Sequence, residues 1–272
     1  MFSKEFLKAA DKATYQMAFS WGKEVRVAPN AINRSPIFGV VKRGRRKYLS
    51  KEKLATIGDT EIEYSGEALN QADKDVWYEL LNRAKESFKR ADDNEPFVEV
   101  RFGVRDFLRA IDRTESGASQ KWLEASLERL MSARINIQYK QMKYKGVLVL
   151  RQIVNMDTSE VILHVDRQIA TLFTGKTITK INWRLRLSLG AADTTKWLYD
   201  YILSHQATTY NPHRIGLGKL YNMSHSTPKE LTTADLRKYR HKIKGCMETL
   251  QNEGVVESYE VSRNILSFIR VK

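Results

Sequence analysis

Two runs of basic side chains are the strongest candidates in this sequence for a ligand-binding site. The first is Lys42-Arg43-Gly44-Arg45-Arg46-Lys47, and the second is Arg237-Lys238-Tyr239-Arg240-His241-Lys242-Ile243-Lys244. Arginine can donate two hydrogen bonds to a guanine base, whereas lysine usually contacts phosphates. Each run therefore predicts contact with a polyanion, and the alternative for each is an ordinary solvated face.

The second run predicts a helix with two different faces. At about 100° per residue, the apolar residues fall on one side: Leu236, Tyr239, Ile243, Cys246, Met247 and Leu250. The cations fall on or beside the opposite side: Arg237, Lys238, Arg240, His241 and Lys244. A recognition helix presents its N-terminal half to base edges in the major groove. These cations are therefore the leading candidates for reading DNA.

Catalytic and metal-binding patterns are weak. Gly175-Lys176-Thr177 resembles the end of a phosphate-binding P-loop, but the glycine expected five residues earlier is Ala170. The five histidines form neither a His-x-His pair nor a His-Glu-x-x-His motif. Asp92 and Asp93 have no apolar neighbours in sequence that would raise a carboxyl pKa. We therefore predict that the protein is not an enzyme and holds no cofactor or metal.

The charge of the chain supports a polyanionic partner. With 46 basic and 32 acidic residues, the net charge is +14. Residues 171–272 carry 16 of those basic and 8 of those acidic residues, so they contribute +8 and residues 1–170 contribute +6. The C-terminal part is thus the more basic per residue, and its field would attract nucleic acid over about 8 Å at physiological salt.

Composition narrows the class of protein further. A length of 272 residues at roughly 150 per domain suggests two domains. No run approaches the ~18 apolar residues of a membrane span, and the N-terminus has no apolar secretory core. A single cysteine, Cys246, excludes an internal disulfide framework. We expect a cytoplasmic protein.

The elements that must position these residues follow from apolar periodicity. Residues 1–36 predict an N-terminal arm with an amphipathic helix through Phe2, Phe6, Ala10 and Met17. The next part predicts helices over 73–86, 104–111 and 118–133, strands over 46–49, 61–64, 98–102, 135–139, 147–154 and 161–165, and a turn at Lys143–Gly146. The last part predicts helices over 193–205, 217–223 and 232–252 and a hairpin over 255–271 with its turn at Ser262–Asn264.

The two parts align at an offset of 120 residues. Trp77 matches Trp197, Leu81 matches Tyr201, and three leucines match three apolar residues: Leu123, Leu127 and Leu130 with Ile243, Met247 and Leu250. A helix, a short helix, a longer helix and a hairpin describe a winged helix-turn-helix. We therefore predict an α+β fold with an arm (1–36) and two tandem winged-helix domains (37–175 and 176–272).

The two domains differ in charge where DNA would lie. The outward face of the first long helix carries Lys121 with Glu124 and Glu128, which suits DNA poorly. We expect the first domain either to contact a protein or to touch DNA phosphates through other cations. Those cations are Lys143, Lys145, Arg45, Arg46 and Lys47. In the second domain, the hairpin turn adds Arg263 and Asn264 to the predicted DNA contacts.

Several blocks of the sequence resemble the TrfA-type plasmid replication initiators. They are Val27-Ala-Pro-Asn-Ala-Ile-Asn-Arg-Ser-Pro-Ile-Phe-Gly39, Arg45-Arg-Lys-Tyr-Leu49, Ile62-Glu-Tyr-Ser-Gly-Glu67, Asp73-Lys-Asp-Val-Trp77, Asn182-Trp-Arg-Leu-Arg186, Ala192 with Lys196-Trp-Leu198, and Tyr201 with Ser204-His205. The resemblance covers residues 25–272. It implies two winged-helix domains that bind tandem repeats, called iterons, at a plasmid origin through the third helices and the hairpins.

The resemblance also implies partners. They are double-stranded origin DNA, the host replicative helicase and other replication proteins, and a second copy of the chain through the first domain. Ile37 and Phe38 loosely resemble a sliding-clamp-binding tail, but the leading glutamine is missing. A packed apolar pair is favoured there over a clamp contact. Two alternatives stay open, a winged-helix transcriptional repressor and a DNA-nicking enzyme. A protein of this family would lie in the bacterial cytoplasm, associated with the plasmid or nucleoid.

Overall fold

The computed structural model describes residues 22, 24–41, 44, 46–56, 58, 60–90, 96–139, 142–155, 157–158, 160–173 and 178–271. The helix expected near the N-terminus, Asp92 and Asp93, and the Gly175–Thr177 motif lie outside these residues. Among the described residues, no helix has the length and apolar character required to cross a bilayer.

Helices and short strands alternate along the chain. The helices are α1 (Asn30–Asn33), α2 (Gln71–Arg90), α3 (Val104–Ala110), α4 (Gly117–Ser132), α5 (Trp183–Ser188), α6 (Asp193–Leu203), α7 (Leu217–Ser224) and α8 (Thr233–Asn252). A 3-10 helix covers Arg167–Phe173. The strands are β1 (Val25–Pro29), β2 (Tyr48–Leu54), β3 (Thr60–Glu67), β4 (Phe97–Gly103), β5 (Arg134–Tyr139), β6 (Met142–Val147), β7 (Arg151–Val154), β8 (Glu160–Asp166), β9 (Ile178–Asn182), β10 (His213–Gly216), β11 (Val256–Ser262) and β12 (Ile265–Arg270).

The strands of the described residues form antiparallel sheets. Their orders are β1-β9, β2-β3-β5-β6, β4-β8-β7 and β10-β12-β11. We call the part from β2 to the 3-10 helix the first half, and the part from β9 to β12 the second half. The mixed helix-and-sheet fold is confirmed.

One order of elements occurs in both halves. It reads α2-β4-α3-α4-β5-β6 in the first half and α6-β10-α7-α8-β11-β12 in the second. The halves differ in pairing, because β10 joins its own hairpin at β12 whereas β4 joins β8 and leaves the β5–β6 hairpin to β3. All the side chains aligned at the offset of 120 are buried: Trp77, Leu81, Leu123, Leu127, Leu130, Trp197, Tyr201, Ile243, Met247 and Leu250.

Two details of the expected strands are wrong. Residues 143–146 lie in β6 and form no turn. A Cβ on Gly146 would collide with the Tyr144 ring, so the glycine that suggested a turn makes room for a buried side chain. The strand expected over 147–154 is also broken, because β6 ends at Val147 and β7 begins at Arg151 in another sheet.

Residues 25–36 are built into the fold. Strand β1 pairs with β9 from Val25–Asn182 to Pro29–Ile178. The Arg34 guanidinium donates through Nε to the Ser204 hydroxyl at 3.0 Å and through Nη2 to the Ser204 carbonyl. This part of the expected arm therefore packs against the second half.

Candidate nucleic-acid interface

Helix α8 begins at a complete capping box. Thr232 accepts a hydrogen bond from the Asp235 backbone N–H at 3.2 Å, and the Asp235 carboxylate accepts one from the Thr232 N–H at 3.2 Å. A hydrogen bond from Lys229 lowers the pKa of Asp235 to about 2, so the cap is charged near neutral pH. Such a cap stabilises a helix N-terminus by about 1 kcal/mol. The first turns of α8 are thus held in helical form on the protein surface.

The two faces expected for α8 are confirmed. Its apolar side packs into the core through Tyr239, Ile243, Cys246, Met247 and Leu250. The side chains of Arg237, Lys238, His241 and Lys244 are exposed, and Lys242 is exposed beside them. No acidic side chain lies among them between Arg237 and Lys244. This basic face can attract a polyanion, and its arginine can donate to base edges or phosphates.

Arg240 has a different role from its neighbours. It is half-buried, and its Nη2 donates to the Oδ1 atom of Asn264 in the hairpin turn. Arg263 and Asn264 both have positive φ, 46° and 64°, which is the conformation of a two-residue turn between strands. The contact fixes the hairpin β11–β12 beside α8. It leaves Arg263 exposed at the tip and makes Arg240 a residue that positions the hairpin.

The corresponding cations of the first half lie apart on two elements. Lys121 is exposed on α4, where Glu124 and Glu128 are exposed beside it. Lys143 and Lys145 are exposed on β6, opposite Gln138 and Asn136 of β5. The lysines of β6 form a basic edge on the hairpin, while α4 presents mixed charge.

The first basic run divides into residues with different environments. Arg45 lies outside the described residues, and Lys47 is exposed. Arg46 is 17% exposed and donates through Nη1 to the Asp73 carboxylate at 2.7 Å and to the Ala68 carbonyl at 2.6 Å. Arg46 could meet a phosphate only by leaving these acceptors.

Ile37 and Phe38 lie in the core. Each is 1% exposed, and the Phe38 ring lies 5.5 Å from the Trp77 ring. They therefore form a packed apolar pair, as was favoured over a clamp contact. A clamp could reach either side chain only after the segment had left the core.

A buried ionic network joins the two halves, and its members were not predicted to lie together. The Lys74 ammonium of α2 lies 2.7 Å from Asp200 of α6, and Lys196 of α6 lies 2.7 Å from Asp75 of α2. Arg186, which has no exposed surface, lies 3.1 Å from Asp75 and 3.2 Å from Asp200. Burial lowers the pKa of Lys74 to about 8, against the opposing effect of Asp200.

All the members of this network except Asp200 fall in the blocks that resemble the TrfA family: Lys74, Asp75, Arg186 and Lys196. The blocks therefore signalled important residues, but spacing along the chain could not show that residues more than 110 positions apart form ion pairs. Their place in the structure is the contact between the halves.

Three of the described histidines, His164, His205 and His213, pack against aromatic rings. His205 and His213 lie 4.0 Å apart ring to ring, and burial and the nearby Arg34 lower their pKa values to about 3 and about 4. His164 stacks on Phe97 at 4.0 Å. Within the described part of the chain, no group of three or more potential metal ligands comes together.

Comparison with known proteins gives one family. The sequence matches the family described as TrfA protein over residues 2–270. This match begins further toward the N-terminus than the resemblance noted from residue 25. No curated protein sequence matches significantly.

Solved structures share the fold at low identity. RctB domains 2–3 superimpose with a TM-score of 0.53 at 12% identity, covering 89% of this chain and 97% of that chain. SeMet derivatives of domains 2 and 3 of RctB give 0.53 at 12% identity, with 90% and 99% covered. The Pi initiator protein in complex with iteron DNA gives 0.49 at 11% identity, with 79% and 100% covered. The RctB structures show a similar fold.

Proposed function

We propose, because this chain belongs to the TrfA family of plasmid replication initiators, that it binds tandem repeats at a plasmid origin and starts replication there. The observation that carries the proposal is the basic outer face of α8. Three exposed cations, Arg237, Lys238 and Lys244, and the exposed side chain of His241 lie on a helix whose other side is buried. Duplex DNA is the polyanion with a groove that admits such a helix.

In this proposal each half is a winged-helix domain, divided near residues 36 and 175. The repeated order of elements supports it, and so does the hairpin fixed beside α8 through Arg240 and Asn264. The fold shared with domains 2 and 3 of RctB agrees with two domains in one chain. The second domain reads bases with α8, and Arg263 contacts phosphates at the hairpin tip.

The first domain holds the phosphate backbone. Lys143 and Lys145 on the β6 edge are its main contacts, with Lys121 and Lys47 as further exposed cations. Arg45 and Arg46 belong to the same basic run; Arg46 would contribute only after releasing Asp73. Phosphate contacts fix the position of the protein on the duplex, whereas base contacts select the sequence.

The proposal includes an opened origin, recruitment of the host helicase, and self-association through the first domain; family membership supports these steps. It includes no catalytic step and no cofactor. A clamp contact at Ile37 and Phe38 would require their release from the core. The protein would act in the bacterial cytoplasm on its plasmid.

The test compares two variants on a labelled duplex that carries repeats of the protein's own plasmid origin. Arg237→Ala should cost about 1–3 kcal/mol of binding free energy and relax sequence preference. Lys143→Ala should weaken all sequences alike and reduce the slope of log Kd against log salt by about one. If both variants lost only sequence-independent affinity, α8 would not be the reading helix.

A transcriptional repressor with the same helices is the alternative. It needs only DNA binding, whereas an initiator must also start replication. A circular DNA that carries only this gene and its flanking repeats separates the two. Autonomous replication supports initiation, and its absence with intact repeat binding supports repression. A covalent protein–DNA adduct would point instead to a nicking enzyme.

A further inference from the structure

Helix α3 of the first half has an exposed flank of arginines. Its inward residues Phe107 and Leu108 are fully buried, and Arg105 and Arg109 are exposed one turn apart on the same side. Arg105 makes no hydrogen bond or ion pair with any described residue. The Arg109 side chain is 68% exposed and lies 2.9 Å from the Glu115 carboxylate in the segment that leads to α4.

The position of α3 before α4 corresponds to the position of α7 before α8. Helix α3 precedes the long helix α4 as α7 precedes α8, and each starts directly after a strand that ends in glycine. The two glycine N-caps have nearly the same backbone, φ −80° and ψ 137° at Gly103 and φ −68° and ψ 139° at Gly216. Helix α7 also carries an exposed cation, Lys219. In a helix-turn-helix, the helix before the reader crosses the phosphate backbone.

Helix α4 is a poor reader of DNA. Its outer face exposes Glu124 and Glu128, which phosphates would repel, and only Lys121 opposes them. The one acid of α3, Asp106, is paired with Arg83 at 2.7 Å, so Arg105 and Arg109 place the positive charge of the helix pair on α3. A duplex that met this helix pair would find its best electrostatic match at the α3 flank.

We infer that Arg105 and Arg109 form a phosphate-binding surface through which the first half grips duplex DNA. The inference rests on the proposed DNA binding by α8 and extends it to a surface with no base-reading role. Glu115 holds Arg109 until a phosphate replaces it, and an exposed pair of this kind is weak enough to exchange. An acidic protein segment is the competing occupant of the same surface.

The experiment measures the salt dependence of binding by the full-length protein to a labelled origin-repeat duplex. Arg105→Ala and Arg109→Ala should each reduce the slope of log Kd against log salt by about one, and the double variant by about two. Arg151→Ala on the edge strand β7 removes one exposed arginine elsewhere and should leave the slope as in the wild type. Glu115→Gln frees Arg109 and should tighten binding at moderate salt.

The outcomes separate this inference from the proposed function. If the wild type fails to bind the repeats, the proposed function is wrong. If the wild type binds and the double variant keeps its slope, the α3 surface does not contact DNA and the inference is wrong. Equal losses in the Arg151 and α3 variants would show a general effect of net charge and would also overturn the inference. Circular dichroism of each variant confirms that the fold is retained.

Discussion

Arg186 is a guanidinium with no exposed surface, placed between the carboxylates of Asp75 and Asp200. With Lys74 and Lys196, the cluster holds three cations and two carboxylates in the core. Burying charge is costly unless each group is paired, and the gain over an apolar cluster is often small. These residues therefore contribute more to fixing one arrangement of the halves than to the total free energy of folding.

Lys74 gives this cluster a measurable pH dependence. Burial lowers its pKa to about 8 in the folded protein, whereas an unfolded lysine titrates near about 10.4. Between these values the unfolded chain binds more protons, so the free energy of unfolding should rise with pH. The rise from this group is at most about 1.4 kcal/mol per pH unit.

The measurement is the urea midpoint between about pH 7.5 and pH 9, which stays below the unfolded tyrosine pKa of about 10. It is made in a Cys246→Ser background, because burial raises the pKa of the Cys246 thiol and its ionisation in the unfolded chain would lower stability over this range. Lys74→Met should flatten the rise, and the variant should fold because Asp200 keeps its contact with Arg186. A slope of the midpoint against pH that Lys74→Met leaves unaltered would contradict the assignment.

At the scale of elements, six of the described helices were predictable because one side of each is buried in a single core, whereas the short helices α1 and α5 were not predicted. Tyr239, Ile243 and Met247 recur at helical spacing, and the structure places all of them inside. The short strands β1 and β9 were not predicted, because each has five residues and gains its ladder from a partner about 150 positions away. The β6 lysines were misplaced in a turn because Gly146 has a packing role that sequence does not reveal.

The contacts of the candidate site were predictable only in part. The exposed cations of α8 follow from the helical period. The role of Arg240 does not, because its partner Asn264 lies across a hairpin whose position depends on tertiary packing. The ion pair of Arg46 was not predictable either, because its carboxylate partner Asp73 is 27 residues away along the chain.

The hairpin β11–β12 offers a test of the Arg240–Asn264 contact. Asn264→Gly keeps a residue that accepts φ of 64° and removes the side-chain acceptor. Asn264→Ala removes the acceptor and also places a Cβ in the left-handed region, which costs about 1–2 kcal/mol. Both variants should bind origin DNA more weakly because the hairpin is no longer fixed to α8.

Thermal unfolding and a DNA titration together read out this prediction. Asn264→Gly should unfold within a few degrees of the wild type, while Asn264→Ala should unfold at a lower temperature. Asn155, an exposed residue beside a turn of the first half, supplies the uncharged control Asn155→Gly, which should leave DNA affinity unchanged. Wild-type affinity in Asn264→Gly would show that the hairpin needs no link to α8.

At the scale of the molecule, the halves are held together directly by ion pairs and also through the segment that precedes β2. Strand β1 from the N-terminal side pairs with β9, and the reciprocal ion pairs link α2 with α6. The Trp197 indole also donates to the Ser35 carbonyl at 3.2 Å. The first half therefore has a defined position relative to α8. A duplex bound to α8 can contact both halves of the protein only if that position is defined.

This dependence predicts that the second half is unstable alone. A fragment of residues 176–272 retains Arg186 and Asp200 but loses Lys74, Asp75 and the β1 strand. Its Lys196 would be left without a carboxylate, and breaking a buried pair costs about 3–5 kcal/mol, a large part of the stability of a domain. The fragment should show a broad urea transition and red-shifted tryptophan emission, because Trp197 would meet water.

A fragment starting at residue 24 is the control and should unfold cooperatively like the full chain. If residues 176–272 alone unfolded in one sharp transition at the wild-type midpoint, the second half would be an autonomous domain and the buried ion pairs would be dispensable for its folding.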